Sequence, residues 1–264
     1  MQDEVLIAAS EGPAFEILRE GGKSAVVLVC EHASKRLPAA LGTMGLDAAA
    51  LESHIAWDIG AARVAELLSE NLDAPLVMQR FSRLAYDCNR PPESPGAYPE
   101  RAEIYDVPGN QGLSPSDKAR RAEALYHPFH LALDQLIEDR MAGGREVVLV
   151  TIHSFTPVYF GKARDGHLGI LHDEDRRLAD AMLGVAQSGG MAQVHRNYPY
   201  GPEDGVTHTL IRHGLTRHIA NVMLEIRNDL ISDDTGQRQW AERIAGLLAG
   251  SLGQLAAKGG HDHA

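Results

Sequence analysis

Cysteine is scarce in this chain: Cys30 and Cys88 are the only two among 264 residues. That excludes a disulfide framework, and Cys30, set inside an apolar run, is expected to be a buried reduced thiol. Basic residues are also in deficit. Lys and Arg number 25 against 36 Asp and Glu, a net charge of −11. Nucleic acid is therefore not an expected partner, because phosphate binding needs an excess of cations. No window approaches about 18 uninterrupted apolar residues, so no membrane span is expected. The first residues, MQDEVLIAASEGPAFEIL, place acids ahead of a short apolar run. That is a poor secretory signal, and the expected location is cytoplasmic. Three familiar loops are missing as well: the G-x-S-x-G nucleophile elbow, the G-x-x-x-x-G-K-[ST] phosphate loop and the G-x-G-x-x-G dinucleotide fingerprint. Neither cysteine has a clear catalytic partner.

What is present is a substantial core composition, 44% hydrophobic. Helical and strand-like patterns alternate with no Pro/Gly/Ser linker and no internal repeat. Residues 1–264 are therefore read as a single α/β domain, a three-layer α/β/α arrangement with a mixed, mostly parallel sheet and helices on both faces. AVVLVC (25–30), PLVMQ (75–79), EVVLVTI (146–152), HLGILHD (167–173) and HIANVMLEI (218–226) read as strands. Helices are expected after Asp58, with Asp58 as a plausible N-cap, over about 174–187 and over about 234–257. The stretch from Ser114 to a Gly-Gly stop at 143–144 reads as one long helix that Pro128 should bend or split. GVTHTLIRHGL (205–215) reads as a short helix. Residues 89–113, dense in Pro and Gly, read as a long ordered loop of the kind that covers active sites. The tail GGHDHA offers weak metal ligands but reads as a disordered end.

Three of the apolar runs finish in residues that a buried strand has no ordinary reason to hold. VVLVCEHAS (26–34) delivers His32, VVLVTIHSF (147–155) delivers His153, and ANVMLEIR (220–227) delivers Glu225. In open α/β sheets, sites gather outside the carboxyl ends of the strands. Two imidazoles and one carboxylate are a common first shell for catalytic zinc. The carboxylate candidates are Glu31, Glu52 and Asp58. Glu31 adjoins His32, and neighbours on an extended segment face opposite ways, so the preferred set is His32, Asp58 and His153. His54 is a further ligand candidate or a partner to one. Glu225 is costly at a buried strand end unless paired or used. Its candidate roles are an ion pair with Arg227 or a general base. FSRLAYDCNRPP (81–92) gathers Arg83, Asp87, Asn89 and Arg90, suited to a carboxylate-bearing substrate or to a surface ion-pair patch. His127, His130, His208, His213 and His218 read as solvated or structural, with His130 and His208 able to line a pocket.

Five segments, in order and spanning about 200 residues, resemble the N-formylglutamate amidohydrolase family. They are VCEHASKRLP (29–38), HIAWDIGAARVAELL (54–68), FSRLAYDCNRP (81–91), TIHSF (151–155) and LEIRNDL (224–230). The resemblance implies hydrolysis of N-formyl-L-glutamate to L-glutamate and formate, the closing step of one route of histidine degradation. The pattern is also similar to the wider zinc carboxypeptidase (phosphorylase/hydrolase-like) group. On that likeness Asn89 and Arg90 would hold the substrate carboxylate, His153 would bind zinc and Glu225 would be the base. The chain departs from that group's H-x-x-E ligand pair, since Ala33, Ser34 and Lys35 follow His32. Cell-wall amidases of similar fold take the missing acid from a following helix, which favours Asp58. The resulting expectation is one Zn2+ per chain, with Glu225 activating its water, Arg83 helping to hold the oxyanion and Arg227 a further carboxylate anchor. The expected substrate is a small acidic N-acyl amino acid, its acyl group left open, as is oligomeric state. Two rivals stand beside it: a cell-wall peptide amidase, and a non-catalytic carboxylate- or metal-binding relative.

Overall fold

A computed structural model describes residues 5–259; the tail read as a metal-binding or disordered end lies almost wholly outside them. In chain order, strand β1 (Phe15–Leu18) is followed by β2 (Val26–Cys30), helix α1 (Ala48–Glu52), α2 (Ala61–Leu72) and β3 (Leu76–Gln79). A small hairpin, β4 (Arg101–Ala102) and β5 (Tyr105–Asp106), precedes α3 (Pro115–Arg121) and α4 (His127–Ala142). Then come β6 (Val148–Phe155), a second hairpin of β7 (Val158–Tyr159) and β8 (Lys162–Ala163), and β9 (Leu168–Leu171). Helix α5 (Arg177–Ser188), β10 (Val194–Arg196), β11 (Ala220–Arg227) and α6 (Asp234–Gly259) complete the chain.

Seven strands form one sheet in the order β1-β3-β2-β6-β11-β9-β10. The four in the middle, β3, β2, β6 and β11, run parallel, while β1 on β3 and β9 on β11 are antiparallel. The central strands are buried on both faces, which is why they read as unbroken Val, Ile and Leu. Alternation divides their side chains between two cores. Val26, Leu28, Val150, Ile152, Val222 and Leu224 join α2, α5 and α6 on one face. Val27, Val29, Leu149 and Met223 join Phe129, Leu133 and Ile137 of α4 on the other. The result is three layers, α/β/α.

That same alternation sends His153 and Glu225 to the α4 face, where they sit opposite each other across the β6/β11 ladder. The ends of all four parallel strands reach one edge of the sheet, so everything that follows β2, β3, β6 and β11 meets there.

Several expectations change. Strand β6 runs on to Phe155, so His153 lies within the strand and not past its end. Gly60, in the left-handed region at φ 81°, is the N-cap of α2 and no side chain caps that helix, so Asp58 is not its cap. The long helix divides as Pro128 demanded, but the adjustment falls before it: a π-helical turn over Ala122–Tyr126 joins α3 to α4. Residues 210–214 likewise form a π-helical turn. Edge strands β1 and β10 were not foreseen, because short, half-exposed edges lack an apolar run. Among the described residues no helix is long and apolar enough to cross a membrane.

Candidate active site

At the sheet edge, His32 stands two residues beyond β2, and its carbonyl accepts a hydrogen bond from the Asp58 amide at 3.0 Å. This backbone link draws the start of the α2 segment onto the end of β2. Asp58, buried and released from capping, puts Oδ2 2.9 Å from His153 Nδ1 and 3.4 Å from His32 Nδ1. The Ser154 amide donates to the same oxygen at 3.2 Å. One ligand atom from each of His32, Asp58 and His153 falls within 4.8 Å of the others, the one group of this kind among the described residues.

The far side of each ring has its own acid. His32 Nε2 lies 2.7 Å from Asp87 Oδ1, and His153 Nε2 lies 3.1 Å from Glu31 Oε2. An ionised carboxylate only accepts, so His153, with an acid at each nitrogen, carries a proton on both; ligation through Nδ1 would displace the proton facing Asp58 and leave Nε2–H on its outer acid. A carboxylate behind each histidine is the usual support of a metal-ligating imidazole. Glu31 thus stands behind His153 and is not one of the three grouped residues His32, Asp58 and His153. Glu52 pairs with Lys35 at the surface and takes no part. His54 pairs with Glu103 at 3.0 Å across the cavity wall.

Electrostatics agree with this arrangement. Burial alone would lower the pKa of His153, but Glu31 and Asp58 on its two sides carry it well above the usual imidazole value. Burial opposes ionisation of Asp58 too, and is overcome by Arg83 and the two histidines, which hold its carboxyl well below the ordinary range. Buried acids thus outnumber the fixed cations, and a metal ion is the natural neutraliser once both rings are neutral. The donor set of two imidazole nitrogens and a carboxylate oxygen fits zinc.

Glu225 faces the same space. It is 5% exposed, its Oε2 has no hydrogen-bond partner among the described residues, and burial pushes its carboxyl up to about 7. The space is a cavity of about 440 Å³ lined by His32, Asp58, His153, Glu225 and a ring of polar residues. The 89–113 loop supplies part of its wall through Gly96, Pro99, Arg101 and Glu103.

The remaining predicted residues separate. Arg83 lines the cavity, but its guanidinium is taken up by Asp58 Oδ1 at 3.0 Å and by the carbonyls of His54 and Ile55. Arg90 also lines it; it holds the carbonyls of Asn89, Asp204 and Gly205 and forms no ion pair within 4.0 Å of a carboxylate among the described residues. The Asn89 amide donates to the Val206 carbonyl and accepts from the Thr209 amide at 3.1 Å. Arg227 is outside the lining: it pairs with Asp229 at 2.8 Å and donates to the carbonyls of Arg164 and Asp165. The anchoring role expected of Arg227 is therefore withdrawn, as is its pairing with Glu225. Two residues escaped the sequence reading. Asp87 was noted only as a neighbour of the arginines, and Tyr200, on the cavity wall, carried no motif at all.

Asn89 is tied to two buried backbone groups, so Asn89→Ala should leave both unsatisfied. Each orphan costs about 1–3 kcal/mol. Urea unfolding should report a loss of about 2 kcal/mol or more, and a loss near zero would show that the amide holds nothing.

The family model for N-formylglutamate amidohydrolase matches residues 24–232, most of the chain and every element of this site. The chain belongs to the N-formylglutamate amidohydrolase family. A crystal structure of the gene product Atu2144 from Agrobacterium tumefaciens is similar at 53% identity. That likeness covers 95% of this chain and 99% of the other, with a TM-score of 0.93. The N-formylglutamate amidohydrolase of Ralstonia eutropha JMP134 shares 20% identity over 90% of this chain and 97% of its own, with a TM-score of 0.62. This second likeness is one of fold. No curated protein gives a significant match. Membership makes the chain a hydrolase of linear amides by family, and its predicted α/β architecture is that of its relatives.

Proposed function

We propose that the chain, folded as one domain, is a zinc-dependent amidohydrolase that converts N-formyl-L-glutamate to L-glutamate and formate. The observation that carries this reading is Glu225: a buried carboxylate whose Oε2 has no hydrogen-bond partner among the described residues, one strand from His153 and on the wall of the same cavity. A structural acid at that depth would be paired; a base must keep an oxygen free.

His32, Asp58 and His153 would hold the zinc, and Asp87 and Glu31 would fix the two rings. The ion, when bound, supplies Lewis acidity toward an acyl oxygen and makes water easier to deprotonate. Glu225 accepts a proton from water as the water oxygen bonds to the acyl carbon. It returns that proton to the departing nitrogen as the carbon–nitrogen bond breaks, releasing the amino acid and formate. Arg90, a cavity cation with no acid partner among the described residues, anchors a substrate carboxylate and so positions the acyl group. Asn89 serves by holding the 206–209 segment against that arginine's wall. The cavity of about 440 Å³, walled in part by the 89–113 loop, favours a small acyl amino acid over a cell-wall polymer. The reaction would be the closing step of one route of histidine degradation.

A panel of N-formyl, N-acetyl and N-succinyl derivatives of glutamate and aspartate tests the reading. N-formyl-L-glutamate should be cleaved with the highest kcat/KM, and a chelator should abolish the activity until zinc is restored. Cleavage unaffected by chelation, or faster release from muropeptides than from any small substrate, would contradict it.

A further inference from the structure

Arg83 was the expected holder of the developing oxyanion, yet its guanidinium is already engaged by Asp58 and two backbone carbonyls. The cavity wall carries another donor. We propose that Tyr200 is a catalytic residue, its hydroxyl donating a hydrogen bond to the acyl oxygen of the substrate as negative charge develops there. This rests on the functional reading above and extends it.

The geometry is specific. Tyr200 lines the cavity together with Glu225 and Arg83. Its Oη accepts a hydrogen bond from Arg164 Nη1 at 3.1 Å, and no described residue accepts the hydroxyl proton in return. The donor is held in place from behind. The Arg164 guanidinium packs over the rings of Tyr159, Tyr200 and Phe155, 4.3, 4.9 and 5.9 Å from their centroids, and pairs with no carboxylate among the described residues. A cation stacked this way is planar and fixed, with its edge free to orient the phenol. The backbone is fixed as well: the Asn197 amide donates to the Ile170 carbonyl at 3.0 Å. Gly169 leaves room for the Tyr198 carbonyl where any Cβ would fall 1.6 Å from its oxygen.

The phenol keeps its proton at neutral pH, since burial and the Glu225 charge push it up to about 12. The site then presents complementary unmatched groups on one cavity: an acceptor on Glu225 and a donor on Tyr200. A reacting water and the carbonyl it attacks satisfy one each. A donor preorganised at the position where charge appears is worth more in the transition state than in the ground state, so its loss registers in kcat.

The test compares wild type, Tyr200→Phe, Arg164→Met and the double variant on the panel substrate that wild type cleaves fastest. Metal content and Tm are measured in parallel. Tyr200→Phe should lower kcat by about 10²-fold with KM little changed and metal content intact. Arg164→Met should lower kcat less, and should add nothing when combined with Tyr200→Phe, because it acts through the hydroxyl. Wild-type kcat in Tyr200→Phe, or a rise in KM alone, would overturn the assignment while leaving the amidohydrolase reading standing. Full additivity of the two changes would overturn the coupling through Arg164. A wild type inert on the whole panel would overturn both.

Discussion

Replacing Glu225 by Gln should lower kcat by about 10²–10⁴-fold, the usual contribution of a positioned general base, while zinc content stays near one per chain. The substitution preserves shape and removes only the ability to accept a proton. The amide also ends the charge that Glu225 contributes to its neighbours, so the protein should be no less stable. Burying a carboxylate is unfavourable, and a neutral side chain of equal size relieves that cost. The pH profile sharpens the point. The base must be ionised to act, so activity is lost as pH falls through its pKa. Burial sets that carboxyl at about 7, and a nearby cation draws it lower. The acid limb of kcat/KM should therefore lie at or below about 7 in wild type and be absent from the residual activity of Glu225→Gln. A variant retaining full turnover would remove Glu225 from the mechanism.

The second large effect is expected at Asp58. Asp58→Ala should weaken zinc binding by more than about 100-fold, because losing even an outer partner of a ligand typically costs 10–100-fold, and activity should fall with metal occupancy. Without its shared acid, the pair of imidazoles loses the group that draws them together. Arg83 loses its carboxylate at 3.0 Å and is left a half-buried cation beside two rings. Removing one member of a buried ion pair costs about 3–5 kcal/mol, so the metal-free variant should also melt below the metal-free wild type. Zinc should raise the Tm of wild type and fail to raise that of the variant, since only a ligand bound to the folded state stabilises it. Dialysis followed by metal analysis, with melting curves in parallel, checks both.

The fold was legible where burial is two-sided. VVLVC and VLVTI read as strands because a parallel sheet covered by helices leaves no polar face to interrupt them. The end of β6 was misjudged for the same reason: hydrophobicity stops at Ile152, whereas the ladder to β11 continues to Phe155. Edge strands β1 and β10 carry too little apolar surface to announce themselves. In the site, His32, His153 and Glu225 stood out because each is expensive at the end of a buried run. Asp58 was harder. An acid just before a helix reads first as a cap, and only the left-handed Gly60 in that position frees it for His32 and His153. Arg227 does not pair with Glu225, because spacing of two along a strand gives the face and not the partner. Asp229 and two carbonyls take its guanidinium. Tyr200 left no trace, since its place on the wall depends on β9, Gly169 and Arg164, none of which its local sequence encodes.

The most direct measurement is anomalous diffraction from crystals of the zinc-loaded protein. One peak per chain should appear about 2.0–2.2 Å from His32 Nδ1, His153 Nδ1 and an Asp58 oxygen, with Glu225 facing it and not bound. A peak held by other residues, or no peak after zinc loading, would contradict the shared grip of two strand ends and one freed acid on a single ion.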